Sequence, residues 1–114
     1  MGASVADQEN GLTDFAMEAA QAAAVLKSLS NEARLLVLCH LSEASELSAG
    51  ELTRRVGLSQ SALSQHLAKL RAEGIVTFRR DSQTLWYRIA DPRIEELFAT
   101  LHRLFCRPEK GRKR

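Results

Sequence analysis

Between residues 48 and 74 the chain carries four helix-capping residues in a row, and that punctuation restricts the fold more than any other stretch. Ser48-Ala49-Gly50-Glu51 sets serine and glutamate at the two ends of a capping box, which predicts a short helix through Leu52 and Val56. Gly57 stops it, because the left-handed backbone that ends a helix costs least without a Cβ. Ser59 caps the next helix, Gln60 to Glu73, and Gly74 supplies its stop. Two helices joined by a glycine-containing turn form a helix-turn-helix. On a 3.6-residue wheel Leu63, Leu67 and Leu70 share the inner face of the second helix, while Gln60, Ser61, Ser64, Gln65 and Lys69 fall towards the outer one.

The flanking segments complete the expected fold. After Gly74, Ile75-Val76-Thr77-Phe78-Arg79-Arg80 and Thr84-Leu85-Trp86-Tyr87-Arg88-Ile89 alternate around the polar Asp81-Ser82-Gln83, which predicts a basic β-hairpin. Asp91-Pro92 opens a last helix with Ile94, Leu97, Phe98, Leu101, Leu104 and Phe105 on a broad apolar face, and Pro108 closes it. Upstream, Phe15, Ala19, Ala22, Ala23 and Leu26 form a helical stripe from about Asp14 to Leu29. A second helix, about 31 to 43 and capped by Ser30 or Asn31, is apolar nearly all round and is therefore expected to be central and buried. Residues 1–13 are polar and aperiodic, a disordered lead. Residues 107–114 hold five basic side chains against Glu109, a mobile tail. The reading is one mainly α domain over 14–106 with a small β-hairpin: a winged helix-turn-helix of five helices and a two-stranded wing.

At 114 residues the chain has a thin core, so its apolar helix faces are expected to be completed by a second copy. No apolar run nears the roughly 18 residues that span a bilayer, and no basic-then-apolar leader opens the chain. Gly2 lacks the Ser or Thr that lipidation wants, since position 6 is Ala6. A cytoplasmic protein without membrane partners is expected. The net charge of +2 hides an asymmetry: residues 1–53 carry two basic and eight acidic side chains, a net of −6, whereas residues 54–114 carry fourteen and six, a net of +8. The second half is the one suited to a polyanion.

The short polar side chains of the fourth helix fit a major groove, where Gln pairs bidentately with adenine and Ser exchanges hydrogen bonds with base or phosphate. The candidate DNA-binding residues are Gln60, Ser61, Ser64, Gln65, His66 and Lys69 on the helix, with Arg79, Arg80 and Gln83 on the wing. Arg54, Arg55 and Arg88 are weaker phosphate candidates. His66 reads as a hydrogen-bonding or packing residue rather than a metal ligand. No convergent acid, base and nucleophile set is present, which argues against an enzyme, and no cofactor motif occurs. Cys39 and Cys106 are the only cysteines and lack CxxC spacing. From the residues alone they are either small core hydrophobes or a long-range redox pair.

Leu26-Lys27-Ser28-Leu29-Ser30-Asn31-Glu32-Ala33-Arg34-Leu35, Glu51-Leu52, and Leu58 through Leu67 resemble the ArsR/SmtB family over about residues 15–106. The resemblance implies a homodimeric winged helix-turn-helix repressor, with helices one and five at the dimer interface and an effector that lowers affinity for double-stranded operator DNA. The family's arsenic and lead sensors carry Cys-x-Cys on helix three, where this chain has Leu47-Ser48-Ala49-Gly50-Glu51. Its zinc and nickel sensors carry Asp and His pairs on helix five, where this chain offers Asp91, Glu95 and the single His102. Cys39 and Cys106 match the pair in the BigR, SqrR, HlyU and YgaV dithiol subgroup. That match implies a repressor that holds its operator when reduced and lets go when reactive sulfur or an oxidant links the two through a disulfide or polysulfide. A metal-responsive repressor and a protein-interaction module are the alternatives.

Overall fold

A computed structural model describes residues 4–105, with side chains from Asp14 onward. It divides into two compact units, one ending at Asn31 and one beginning at Glu32. The first holds α1 (Ser4–Leu29), which begins well before the expected start near Asp14. Six alanines between Ala16 and Ala24 favour helix strongly, and a helix once nucleated extends at one hydrogen bond per residue fixed, without needing an apolar stripe. The helix closes where the Ser30 hydroxyl donates to the Lys27 carbonyl at 2.9 Å, so Ser30 serves the end of α1. Phe15, Met17 and Leu26 stand exposed, Phe15 at 70%.

The second unit runs α2 (Glu32–Ala44), β1 (Leu47–Ser48), α3 (Ala49–Val56), α4 (Gln60–Ala72), β2 (Val76–Asp81), β3 (Thr84–Ile89) and α5 (Pro92–Phe105). Val37, Leu38 and Leu41 of α2 are fully buried, but Leu36 is 39% exposed, so α2 is central on one side only. α2 packs against α3, β3 and α5, where Leu52, Tyr87, Ile89, Ile94 and Phe98 are buried, and Leu63, Leu67 and Leu70 are buried where α4 packs on α3 and β2. Each such side chain contributes roughly 1.5–3 kcal/mol over its exposed state.

Capping chemistry sets the boundaries. The Ser48 hydroxyl accepts from the Glu51 N–H at 3.1 Å, but the Glu51 carboxylate turns to Arg54 and Arg55, so half of the expected capping box forms. Gly57 sits at φ 79° and its N–H donates to the Thr53 carbonyl at 3.0 Å, closing α3. The Ser59 hydroxyl accepts from the Ala62 N–H at 3.1 Å to open α4, and Gly74 at φ 76° turns the chain out of it. Asp91 Oδ1 accepts from the Arg93 N–H at 2.9 Å, with Pro92 at the first position of α5.

The sheet has three strands, in the order β1-β3-β2, all antiparallel. The wing hairpin pairs Val76 with Ile89 through Asp81 with Thr84, leaving Ser82 and Gln83 as its tip. Sequence reasoning foresaw this hairpin but not β1, whose Leu47 and Ser48 pair with Tyr87 and Trp86. On the inner face the Phe78 and Tyr87 rings lie 5.3 Å apart. Burial holds the Tyr87 phenol above its ordinary range.

Candidate nucleic-acid interface and the cysteine position

The amphipathic split read from the wheel holds in three dimensions. With Leu63, Leu67 and Leu70 sealed in the core, Gln60, Ser61, Ser64, Gln65 and Lys69 are all exposed on the opposite side of α4. The row holds one charged side chain, so it offers hydrogen-bond donors and acceptors with little electrostatic bias of its own. The helix is braced at its start by the Ser59 cap and along its flank by α3, which packs beside it.

His66 stands apart from that row. It is half-buried, and its Nδ1 accepts from the Arg34 Nε–H of α2 at 3.3 Å. Its imidazole therefore ties α4 to α2. Lone-sequence reasoning had no signal for this pair, whose members lie 32 positions apart.

The basic side chains of the second half are less available than their number suggests. Glu51 binds Arg54 at 2.7 Å and Arg55 at 3.4 Å, and the Arg54 hydrogen bond holds the Glu51 carboxyl below its ordinary range. Arg93 is engaged by Asp91. The Arg71 guanidinium lies 4.5 Å over the Phe78 ring. On the wing, Arg79 is held by Glu46, which donates no proton and accepts two: Arg79 Nε to Oε2 at 2.8 Å and Nη2 to Oε1 at 3.0 Å. Arg80 and Gln83 are exposed at and beside the tip, and among the described residues Arg80 forms no ion pair.

Cys39 lies half-buried in the second turn of α2, with His40 half-buried beside it. Cys106 lies outside the described residues, as do residues 107–114 of the basic tail. Asp91 is committed to Arg93, and among the described residues no three His, Cys, Asp or Glu side chains converge as a metal site. Nor is any described helix long and apolar enough to cross a membrane.

A three-stranded sheet ending in a hairpin, set against a helix-turn-helix whose second helix presents an exposed polar row, defines a winged helix-turn-helix. Residues 31–77 match the model for bacterial regulatory proteins of the arsR family. The chain is 47% identical over 95 residues to the HTH-type transcriptional regulator YgaV of Escherichia coli, covering 83% of this chain and 96% of that one. It is 39% identical to the biofilm growth-associated repressor of Xylella fastidiosa, over 85% of this chain and 84% of the repressor. The solved structure of reduced HlyU from Vibrio cholerae superposes with a TM-score of 0.78 at 45% identity, covering 82% of this chain and 97% of that one. HlyU is a transcriptional activator. The chain belongs to the ArsR family, and it is a transcriptional regulator rather than an enzyme.

Proposed function

We propose that the chain is a homodimeric repressor that binds operator DNA through α4 and the wing while Cys39 and Cys106 are reduced, and releases it when they become linked. The observation that carries the DNA half is the exposed row Gln60, Ser61, Ser64, Gln65 and Lys69 over a buried leucine face, beside a wing whose tip presents Arg80 and Gln83. Base edges are read by the glutamines and serines, and Lys69 and Arg80 meet phosphates. Dimer formation is supported by apolar side chains left uncovered on α1 (Phe15, Met17, Leu26) and on α5 (Leu104, and Phe105 at 78% exposure). A second copy of the chain covers such faces at no cost in solubility.

The sensing half is supported by the position of Cys39 on α2 and by the likeness to the dithiol subgroup. Two thiolates give two electrons and join as a disulfide, reducing a peroxide to water and an alcohol or to two waters, or a persulfide to a thiol and hydrogen sulfide. The bridge is a polysulfide when a persulfide has first passed its outer sulfur to one thiolate and left as a thiol. A direct disulfide needs the two Cα atoms within about 7 Å, and added sulfur relaxes that limit. Tethering α2 to the end of α5 acts on DNA because the chain passes from α2 through β1 and α3 to α4. A coupling of about 1–3 kcal/mol, ordinary for allostery, gives roughly 5- to 150-fold release. The test is operator affinity before and after persulfide treatment, in the unsubstituted protein and in Cys39→Ser and Cys106→Ser. Release in the first and none in the variants is expected, and unchanged affinity in the unsubstituted protein sinks the sensing role.

A further inference from the structure

Arg79 is one of the two wing cations, with Arg80, that sequence reasoning favoured as phosphate contacts, and the structure surrounds it with groups that hold it elsewhere. The Glu46 carboxylate accepts from two of the five N–H donors of the Arg79 guanidinium, Nε at 2.8 Å and Nη2 at 3.0 Å. This fork-to-fork geometry fixes orientation as well as distance. The guanidinium also lies 5.6 Å from the ring centroid of Trp86, its cross-strand partner, and its Nη1 is 3.9 Å from Asp81. Two carboxylates thus offset the charge that a phosphate would need. The Arg79 hydrogen bond holds Glu46 below the ordinary carboxylate range, so the pair is ionised at neutral pH.

The three partners come from three separate segments of the chain. Glu46 stands at the entry to β1, Trp86 on β3 and Arg79 on β2. Trp86 also pairs with Ser48 of β1, and Ser48 is the N-cap of α3. The cluster therefore spans the sheet from the foot of the helix-turn-helix to the stem of the wing. Arg80, the next residue, has its side chain on the other face of the strand, as alternation requires.

We propose that Arg79 is a positioning residue, clamped between Glu46 and Trp86 to set the tilt of the wing relative to α3, and that Arg80 rather than Arg79 makes the wing's phosphate contact. This rests on the reading of α4 and the wing as the DNA surface. Glu46 is then an acidic residue that strengthens binding to a polyanion, the reverse of what its charge alone predicts.

The test uses the full-length protein and the duplex it enriches from a random-sequence library, with affinity measured over a range of salt concentrations. Glu46→Gln and Arg79→Gln are each expected to weaken binding by about two- to five-fold per wing, the range of an exposed pair, with the double variant no worse than either. Exchanging the partners, Glu46→Arg with Arg79→Glu, is expected to recover affinity. Arg80→Gln is expected to flatten the dependence of log K on log salt by about 0.9 per lost phosphate contact. Trp86 is the chain's one tryptophan, so its emission should shift in Glu46→Gln without any DNA. Tighter binding by Glu46→Gln, or an exchange variant as weak as Arg79→Gln, shows Arg79 to be a phosphate contact and overturns the proposal. The isosteric Glu46→Gln decides the sign even if the exchange variant folds poorly. An unsubstituted protein that enriches no sequence overturns the DNA reading itself, and this role with it.

Discussion

Replacing Gly57 with alanine isolates what the turn of the helix-turn-helix demands of the backbone. Gly57 holds φ at 79°, and a Cβ built there meets no atom within 4 Å. Steric exclusion by neighbours is thus absent, and the cost is that of the left-handed conformation, about 1–2 kcal/mol for a residue with a Cβ. Against this, alanine narrows the unfolded ensemble and returns about 0.4–1 kcal/mol. The backbone term wins, and a net loss of about 1 kcal/mol remains. Urea unfolding at a fixed protomer concentration is the assay, because a dimer's stability depends on concentration. With a slope of about 1–3 kcal/mol per molar, the midpoint should fall by roughly 0.3–1 M. Gly57→Asn should lose less, since asparagine tolerates the left-handed region. A Gly57→Ala protein as stable as the unsubstituted one, or an asparagine variant worse than the alanine variant, refutes the conformational account.

Ser82, at φ 60° on the wing tip, presents the inverse case: Ser82→Gly should stabilise by about 0.5–1 kcal/mol and raise the melting midpoint by a few degrees in a calorimetric scan. Leu67→Ala should cost about 2–5 kcal/mol, because Leu67 is buried and the space it leaves cannot fully collapse. Gln65→Ala, on the exposed side of the same helix, should change stability by less than about 0.5 kcal/mol while weakening selection of DNA sequence, so paired denaturation and binding measurements separate the two faces. Tyr87, the chain's one tyrosine, should ionise above the ordinary phenol range in an ultraviolet titration, and within that range once the protein is unfolded. Its folded value is the raised one, so its contribution to stability is full below the unfolded value and is lost as pH rises through the folded one.

What was legible in the sequence was local. Ser48, Ser59, Gly57 and Gly74 act on backbone groups within four residues of themselves, so residue type and spacing were enough to place α3, α4 and the turn between them. The leucine face of α4 and the hairpin were legible because periodicity records burial. The pairs that shape the candidate interface were not. Glu46 and Arg79 are 33 positions apart, and Arg34 and His66 are 32. A strand of two residues is too short to show alternation, which is why β1 left no trace. The early start of α1 escaped for a different reason, since alanine-led propagation needs no apolar stripe. The even hydrophobicity of α2 concealed that Leu36 faces outward.

Ser48 is both the last residue of β1 and the N-cap of α3, and this double duty limits how the chain can change length. A residue inserted between Ser48 and Ala49 would carry the capping hydroxyl away from the Glu51 N–H, and one inserted between Leu47 and Ser48 would keep the cap but turn Leu47 to the opposite face of its strand. Grafting a foreign hairpin over residues 76–89 would meet the same obstacle, because the new third strand would have to accept Leu47 and Ser48 as its edge. The wing sheet and α3 are therefore tied through one residue, and insertions have room at the Ser82–Gln83 tip rather than at the stem.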